Sequence, residues 1–479
     1  MTPIDTDAIR QLTARWGLER GVFESNAKFE NRCASPEFHQ RFRQGKVPTL
    51  SLEDVSGIPF VSVIPGVEMY QHRARVRASN GDVFATSTPL PAGYEDYNRE
   101  ILHLGAPTCV IAEPVENPAA SISACMQGTA YKQIVEWGKA QSSIAIHPYM
   151  SIEPAWELAA RLGVDAGVET RVIGPPPAAL WIANDKWALT EIIRLVASEN
   201  LVVESAASTQ VETIARHLQD FAKRHGTVGL KRTRCASAMG NRVFESHELN
   251  RLNLPEITAL VRDFLAKTEW QGDEEVIVVE WIETDLSPST QTWIPPQGPP
   301  IIEGVYEQLL EGREKVFLGS RPSTLPTVVN QALIHASMIV ATAFQALGYV
   351  GRCSFDFVVG GDVNGEFEAK FTECNGRWGG TSTPMFLVDR VMGTDIDTRP
   401  TYLAQDFIRE DLVGASFMDI REAIEDLLYR PETGEGRFIL YNVGPLAGSG
   451  KFDIISLGRN ADEALEGVHK ILPARLGVR

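Results

Sequence analysis

The sequence predicts an α/β (α+β) protein in which a parallel α/β domain precedes a larger region of antiparallel strands. Three observations predict this class. Strand-like and helix-like segments alternate early in the chain, three prolines interrupt the pattern at Gly174-Pro-Pro-Pro-Ala178, and strand pairs with intervening turn residues follow. The 479 residues, 44% hydrophobic and 22% charged, are typical of a globular protein of two to four domains.

Residues 1–174 are predicted to form the parallel α/β domain with an N-terminal extension. The first 50 residues carry no recognisable chemistry. The three prolines cannot continue a helix or a central strand, so the domain is expected to end at residue 174. The predicted strands are 57–65, 81–87, 108–113 and 143–147, and the predicted helices are 94–104 and 151–162.

Two further units, residues 175–290 and 291–479, are predicted after this break. A helix is expected to begin at Asn184-Asp-Lys186, with Asn184 or Asp185 as its N-cap. The remaining predicted strands are 227–231, 276–282, 301–310, 437–442 and 451–456, and the remaining predicted helices are 211–223, 330–347 and 461–472.

Two strand-like segments late in the chain form the most informative pair. The segments Cys353–Val359 and Thr372–Asn375 flank the turn-forming sequence Gly360-Gly-Asp-Val-Asn-Gly365. This order predicts an antiparallel hairpin. Folded about residues 363–365, the hairpin is expected to bring Asp356 close to Thr372 and Glu373.

Three oxygen-bearing side chains are expected to converge on this hairpin. Glu373 and Asn375 are two residues apart and so share one face of their strand, opposite Asp356. Such hard oxygen ligands suit Mg²⁺, and Arg377 just beyond them suits a phosphoryl oxygen. The alternative is a polar hairpin edge that carries solvated charges; the concentration of charge and glycine in Glu373–Gly380 favours the metal site.

Two earlier segments suit phosphate and purine binding. Lys231 ends an apolar strand before the small-residue loop Ala236-Ser-Ala-Met-Gly240, whose backbone amides can cradle phosphate. Val278-Val-Glu-Trp-Ile282 ends another strand, where Glu280 can accept a hydrogen bond from an adenine amine and Asp285 can meet ribose hydroxyls. The alternatives are a surface strand at Lys231 and an edge strand at Glu280, and each is at least as good for its segment taken alone.

Charge and composition exclude other function classes. A net charge of −17 argues against nucleic-acid binding and against anionic membranes as the main partner. The six cysteines are scattered, which fits a reducing compartment. No signal peptide and no apolar stretch of membrane-spanning length is recognised, so the expected location is the cytoplasm.

Two other motifs are rejected. Gly444-Pro-Leu-Ala-Gly-Ser-Gly-Lys451 resembles a P-loop, but its spacing is one residue too long and Phe452 replaces the required Ser or Thr. Asp362-Val-Asn-Gly365 lacks the rest of an EF-hand loop. Both are interpreted as turns.

Taken in order, these segments resemble the ATP-grasp superfamily. The elements are Asn-Asp-Lys186 at a helix start, Lys231 before a small-residue loop, a strand ending Glu280-Trp-Ile, then Asp356 and Glu373-x-Asn-x-Arg. Thr86-Ser-Thr-Pro-Leu90 and Tyr94–Tyr97 look like a pre-ATP-grasp domain, which implies an ATP-grasp fold after an N-terminal parallel α/β domain. Three more segments, 281–288, 351–384 and 441–458, look like the pheganomycin-type peptide ligases.

The resemblance implies roles for these residues. Asp356, Glu373 and Asn375 would hold Mg²⁺, and Arg377 and Lys231 would be catalytic, with Arg321 a third candidate on a closing loop at 319–326. Glu283 is an alternative to Asp285 at the ribose. The residues implied to bind ATP are Lys186, Lys231, Ser237, Met239, Gly240, Glu280, Trp281, Ile282 and Asp285.

The implied function is an ATP- and Mg²⁺-dependent carboxylate–amine ligase that forms an acyl phosphate and releases ADP. Its partners would be a small carboxylic acid and an amine, either an amino acid or a short peptide, and a homodimer is compatible with the fold. The alternatives are an inactive ATP-binding regulatory or partner protein, and a phosphotransferase that acts on a non-carboxylate acceptor.

Overall fold

Three β-sheets follow one another along the chain in the computed structural model, which describes residue 7 and residues 27–61, 64–235, 238–272, 274–394 and 399–477. The sheets have five, four and eight strands. They lie within residues 49–172, 205–280 and 288–458. The domain limits 1–174, 175–290 and 291–479 stay predictions.

The first sheet is wholly parallel, as the alternation of strands and helices predicted. Its strand order is β3-β2-β1-β4-β5. Helices cover it, and Trp156 is fully buried in the resulting core. The strands are β1 Thr49–Leu52, β2 Val83–Thr86, β3 Thr108–Ile111, β4 Ser143–Pro148 and β5 Glu169–Val172.

The strand predicted at 57–65 is wrong. Residues 57–61 and 64–65 form successive turns, in which the amides of Ile58, Val61 and Ile64 each bond to the carbonyl three residues earlier. The apolar residues there recur every third position, which matches consecutive turns and not a strand. They pack against Tyr149 beside the cavity described below. The first strand of the sheet is instead β1, Thr49–Leu52, which begins at the end of the 50 residues to which no chemistry was assigned.

The second sheet is antiparallel, in the order β6-β9-β7-β8. Two helices pack on one face of it, Val211–Ala222 and Leu254–Lys267. On its other face Ile277 and Val279 pack with Val203, and Val203 and Val279 line the cavity described below. The strands are β6 Ser205–Ser208, β7 Thr227–Arg232, β8 Asn241–Glu245 and β9 Val276–Glu280.

The third sheet is antiparallel, in the order β14-β13-β10-β11-β12-β15-β17-β16. Strands β10, β12 and β15 were not predicted, because polar or mixed segments such as Pro-Ser-Thr-Gln-Thr-Trp-Ile lack a clear apolar alternation. The strands are β10 Pro288–Ile294, β11 Ile301–Glu311, β12 Val316–Pro322, β13 Gly351–Gly361, β14 Phe367–Asn375, β15 Thr401–Ile408, β16 Phe438–Tyr441 and β17 Lys451–Gly458.

The helices connect the sheets and cover their faces. The α-helices are Pro36–Arg43, Tyr94–Asp96, Ser121–Cys125, Gly128–Lys139, Glu153–Asp165, Pro177–Ala183, Lys186–Val196, Val211–Ala222, Ser246–Leu249, Leu254–Lys267, Thr327–Ala346, Ser382–Met392, Phe417–Ala423, Leu446–Ser449, Ala461–Glu466 and Leu472–Arg475. The 3₁₀ segments include Val67–Arg77, and the π-helical segments among the described residues are Tyr97–Ile101 and Gly467–Ile471.

The helix Thr327–Ala346 corrects one sequence expectation. It has 20 residues and a mean hydropathy of 1.4, so by length and composition it reaches membrane-spanning size, and it is the one such helix in the part of the chain that the structure describes. Its face bearing Leu333, Val340 and Phe344 packs in one apolar cluster with β13, β14 and the helix Lys186–Val196. This packing is that of a core helix.

One buried hydrogen bond fixes this helix to the sheet and supports a stability prediction. The hydroxyl oxygens of Thr290 on β10 and Ser337 lie 2.7 Å apart, and both side chains are fully buried. Ser337→Ala leaves Thr290 without that partner, so we expect a loss of about 1–2 kcal/mol in the free energy of unfolding. Urea denaturation measures this loss.

The double variant Thr290→Val/Ser337→Ala is the control. Removing both hydroxyls leaves no orphaned partner, so the double variant is expected to be less destabilised than the sum of the single variants. Strict additivity would show that the hydrogen bond contributes nothing.

Candidate functional site

A cavity of about 580 Å³ lies between the second and third sheets, with the N-terminal domain closing one end. This volume is in the range of small-molecule sites. Strands β7 and β9 supply one wall, and β13 and β14 supply another. Polar and charged side chains from the second and third sheets line it, together with Arg73 and Tyr149 of the N-terminal domain, which makes it the candidate site.

The predicted hairpin is present and carries the expected side chains. Strands β13 and β14 pair antiparallel with Asp356 directly opposite Glu373. Asn375 shares the face of Glu373, and its Nδ2 donates to Asp356 Oδ2 at 3.0 Å. Ser289 on β10 donates to the other oxygen, Asp356 Oδ1, at 2.6 Å. The three proposed metal-ligating residues therefore lie together on the cavity wall.

The two carboxylates differ in electrostatic state. Burial, reinforced by the charge of Glu373, raises the pKa of Asp356 to about 7. Burial alone would also raise the pKa of Glu373, but Lys186, together with Lys231 and Arg377, outweighs burial and lowers that pKa below its ordinary value. A divalent cation bound between the Asp356 and Glu373 carboxylates would relieve their mutual repulsion.

Lys186 joins three parts of the site. It is the first residue of its helix, where Asp185 is the N-cap and accepts from the amides of Trp187 and Ala188 at 3.0 Å each. Lys186 Nζ donates to the carbonyl of Cys235 at 2.6 Å and lies 3.0 Å from Glu373 Oε2. It thereby ties the helix start and the small-residue loop to the hairpin.

Lys231 enters the same cavity from β7. Burial and the charge of nearby Lys186 lower its pKa to about 8, while Glu373 opposes the shift. Its Nζ lies 5.2 Å from the centre of the Trp281 ring. Among the described residues no carboxylate lies within ion-pair distance of Lys231, whereas Lys186 is paired. Lys231 is therefore available to an anionic ligand.

The small-residue loop lines the cavity through Ala238, Met239 and Gly240. Ser237 lies outside the described residues. The amide of Asn241 bonds to the carbonyl of Ala238 at 2.9 Å, closing a tight turn. A Cβ at Gly240 would lie 2.6 Å from the Cβ of Cys235, so the turn requires glycine there.

The end of β9 forms an apolar slot. Glu280, Trp281 and Ile282 line the cavity together with Val203, Val279, Leu310, Phe357 and Val358. The amide of Glu280 bonds to the Glu204 carbonyl and that of Trp281 to the Thr227 carbonyl. The Glu280 carboxylate lies 3.5 Å from His225 Nδ1. A narrow apolar slot beside a strand end suits a flat heterocycle.

Two sequence assignments do not match the geometry. The Asp285 side chain is fully exposed, lies 3.4 Å from Lys315 Nζ and does not line the cavity. Its alternative Glu283 accepts from Thr227 Oγ1 and also lies off the cavity. Glu314 does line the rim.

Arg321 is also misplaced by the sequence prediction. Residues 319–322 belong to β12 and not to a closing loop, and Arg321 lies directly opposite Glu307 of β11. Its Nη2 is 2.7 Å from Glu307 Oε2, and it does not line the cavity. A cross-strand carboxylate already satisfies its charge, so the structure gives it no catalytic position.

Arg377 lies where it was expected, beside the hairpin. Gly376 has its backbone held by the side chain of Asn184, and a Cβ there would meet Ala183 at 2.7 Å, so only glycine allows this approach. Arg377 Nη1 donates to the hydroxyl of Tyr149 at 3.2 Å and to the Trp378 carbonyl at 2.8 Å. Tyr149 follows β4 of the N-terminal domain, so that domain positions the arginine.

Sequence reasoning missed one end of the cavity. Its polar residues come from the 3₁₀ segment Val67–Arg77, from β15, from the end of β16 and from β17. The local signal is the pair Lys451 and Asp453, which share a face of the strand predicted at 451–456, but no site role was assigned to either residue.

Comparison with known proteins identifies the fold. No protein-family model matches the chain, and no curated protein matches its sequence. The ADP complex of N5-carboxyaminoimidazole ribonucleotide synthetase matches with a TM-score of 0.52 and 13% identity, over 90% of this chain and 97% of that one. Biotin carboxylase from Campylobacter jejuni matches with a TM-score of 0.52 and 14% identity, over 88% and 90%.

A third structure agrees with these two. The Aspergillus clavatus N5-carboxyaminoimidazole synthase, in complex with ADP and 5-aminoimidazole ribonucleotide, has a TM-score of 0.51 and 12% identity. The match covers 90% of this chain and 99% of that one. The chain therefore has the fold of the ATP-grasp superfamily, preceded by an N-terminal parallel α/β domain.

Proposed function

We propose that the protein is an ATP- and Mg²⁺-dependent carboxylate–amine ligase that releases ADP and phosphate. One observation carries the proposal: an unpaired lysine, Lys231, shares a cavity with a paired carboxylate hairpin, Asp356 and Glu373. This combination suits a metal-bound polyphosphate. The names of the structural neighbours add support, since two of them describe complexes with ADP.

The residues that line the cavity fit both ATP and Mg²⁺. Two carboxylates and the Asn375 amide are the hard oxygen donors that Mg²⁺ prefers, with its remaining positions left to water and phosphate. Lys186, Lys231 and the loop at Met239 and Gly240 would hold the phosphates, with Ser237 assigned to the same loop. The slot at Glu280, Trp281 and Ile282 would hold adenine. We assign the ribose to Glu314, because Asp285 does not line the cavity.

The charged side chains of the site would reduce the electrostatic repulsion between the two substrates. A substrate carboxylate and a triphosphate repel each other, and Lys231 and Arg377 offset that repulsion while orienting the reacting oxygens. Bound ATP supplies the phosphoryl group, and Mg²⁺ lowers the cost of its negative charge. Val55, Ile58, Val61 and Ile64 line the cavity and limit water, which protects an acyl phosphate from hydrolysis.

An amino acid or short peptide is the proposed class for the acid and the amine. The support is the sequence resemblance to the pheganomycin-type peptide ligases, which stays a prediction. Cytoplasmic location and a homodimer also stay predictions.

Hydroxylamine trapping tests this function. The purified protein is incubated with ATP, Mg²⁺, hydroxylamine and a panel of amino acids and small carboxylic acids, and hydroxamates are detected by mass analysis. A hydroxamate that depends on both ATP and Mg²⁺ is expected. Tight ATP binding without turnover would instead indicate an inactive partner protein, and a phosphorylated product without hydroxamate would indicate a phosphotransferase.

A proton-uptake measurement separately tests the assignment of Lys231 to the phosphates of ATP. Lys231 has a pKa of about 8, so at pH 8.5 most molecules carry it neutral. A bound phosphate favours the charged form and raises this pKa, so ATP binding is expected to take up about 0.5–1 proton. Titration calorimetry in buffers of different ionisation enthalpy measures the uptake. It should disappear below pH 7, where Lys231 is already charged.

Lys231→Met is the matched variant for this measurement. It lacks the titrating group, so any remaining ATP binding at pH 8.5 should proceed without proton uptake. The same uptake in the variant would assign it to another residue and remove Lys231 from the phosphate site.

A further inference from the structure

The end of the cavity that sequence reasoning missed has no part in the proposed nucleotide site. We call it the far end and define it by Tyr70, Arg73, Asp406, Asn442, Lys451 and Asp453, all of which line the cavity. Asp406 on β15 lies directly opposite Asp453 on β17, and Lys451 is two residues before Asp453 on the same face. The sheet therefore presents two carboxylates and one ammonium group together.

Lys451 is already satisfied. Its Nζ lies 2.5 Å from Asp406 Oδ2 and donates to the hydroxyl of Tyr70 at 2.7 Å. Arg73 is likewise ion-paired, since its Nε lies 2.8 Å from Glu53 Oε1. The two cations of the far end thus have carboxylate partners of their own.

Asp453 is the carboxyl group of the far end without such a partner among the described residues. It is 4% exposed, and Asn442 Nδ2 donates to its Oδ2 at 2.9 Å. Its Oδ1 accepts no hydrogen bond from the described residues, and neither does Asn442 Oδ1 beside it. No cation among those residues lies within ion-pair distance of Asp453. Two buried acceptor oxygens without donors are costly unless a ligand supplies the hydrogens.

The cavity therefore has two ends of opposite character. Among the described residues, Lys231 is the amine without an ion-pair partner at the nucleotide end, and Asp453 is the carboxyl group without one at the far end. A single ring connects the ends: Arg377 donates to the Tyr149 hydroxyl, and the same ring lies 5.2 Å from the Arg73 guanidinium carbon. Arg73 of the far end is thus one aromatic ring from the arginine proposed to hold the activated carboxylate.

Resting on the function proposed above, we propose that the far end binds the amine co-substrate as its ammonium ion, with the nitrogen donating to Asp453 Oδ1 and Asn442 Oδ1. Asp453 then accepts the proton that the amine must lose before it attacks the acyl carbon. An alkylammonium ion supplies the donors that both oxygens lack. Burial, with the charge of Asp406, raises the pKa of Asp453 to about 8, while Lys451 and Arg73 oppose the shift. A bound ammonium ion would favour the carboxylate form, from which Asp453 can take up a proton near neutral pH.

The protons and bonds balance without another reactant. The ammonium ion gives one proton to the Asp453 carboxylate and becomes a free amine. The amine nitrogen forms a bond to the acyl carbon, the bond from that carbon to the phosphate oxygen breaks, and phosphate leaves with the electron pair. The second amine proton leaves with phosphate as hydrogen phosphate, and Asp453 releases its proton to solvent at the end of the cycle.

Two nucleophiles distinguish this role from carboxylate activation. Hydroxylamine is largely neutral at pH 7 and needs no base, whereas methylamine and the amino acids are protonated there. Wild type, Asp453→Asn, Asp453→Ser and the surface control Asp411→Asn are assayed with ATP, Mg²⁺ and the acid identified by hydroxylamine trapping. Each receives either hydroxylamine or a pool of methylamine and the proteinogenic amino acids, and hydroxamate and amide products are quantified.

The expected result is a split between the two products. Both Asp453 variants should form hydroxamate within about threefold of wild type and lose amide formation by about 10²-fold or more, the range for a general base. Asp411→Asn, whose side chain is 63% exposed, should match wild type in both. Retained hydroxamate also shows that the variants are folded.

Other outcomes overturn the inference. Equal loss of both products in both Asp453 variants would assign the residue to structure or to activation, and unchanged amide formation would remove it from the amine site. If the wild-type protein forms hydroxamate but no amide, the far end does not bind any amine in the pool. If the wild-type protein forms no hydroxamate, the proposed function is wrong, and the inference that rests on it is wrong as well.

Discussion

Glu373→Gln is expected to lower ADP release by about 10²-fold or more at saturating substrates. The substitution keeps the shape of the side chain but removes one of two carboxylates from the proposed Mg²⁺ ligands and the anion that lies 3.0 Å from Lys186 Nζ. The Mg²⁺ concentration needed for half-maximal rate should rise as well, because fewer charged ligands remain. A coupled ADP assay across a Mg²⁺ titration measures both effects.

Glu368→Gln is the matched control for this variant. Glu368 lies on the same strand, β14, but its side chain is 70% exposed and pairs with Lys370. It should keep wild-type turnover and the wild-type Mg²⁺ requirement. Turnover of Glu373→Gln within threefold of wild type, with unchanged Mg²⁺ dependence, would contradict the metal site.

Lys231→Met is expected to lower kcat/KM for ATP by about 10²-fold or more without a loss of stability. No described carboxylate pairs with Lys231, and burial already disfavours its charged form, as its lowered pKa shows. Replacing it with an apolar side chain therefore leaves no orphaned anion. Steady-state kinetics and urea denaturation measure the two quantities.

The contrast with Lys186 sharpens this prediction. Lys186→Met removes the partner of both Glu373 and the Cys235 carbonyl, so it should destabilise the fold as well as reduce turnover. Lys223→Met, at an exposed helix end, should change neither quantity. Unchanged ATP kinetics in Lys231→Met would separate this lysine from the phosphates.

The hairpin could be predicted from sequence because its information is local. Turn-forming residues lie between two short strands, and the alternation of side chains then puts Asp356 opposite Glu373. The helix start at residues 184–186 and the parallel class of the N-terminal sheet were predictable for the same reason, since each rests on a local pattern along the chain. The structure then selects Asp185 over Asn184 as the N-cap.

The incorrect and missing assignments depend on contacts between distant segments. Arg321 was assigned to a loop because the register that places it against Glu307 is set only when β11 and β12 pair. Asp285 has a suitable side chain, but it follows a strand end that directs it to solvent, where Lys315 meets it. The far end joins segments separated by more than 300 residues, as the contact of Tyr70 with Lys451 shows, and no local pattern encodes that meeting.

Tyr149 has a consequence for how such a protein diversifies. It belongs to the N-terminal domain, yet its hydroxyl accepts from Arg377 and its ring faces Arg73, both at the cavity. A fragment that begins at residue 175 retains the nucleotide wall but discards Tyr149, Tyr70 and Arg73. If the far end holds the amine as proposed, grafting a foreign N-terminal domain would replace part of the amine site and keep the residues proposed to bind ATP and Mg²⁺. Recombination at this junction would then change which amine is accepted.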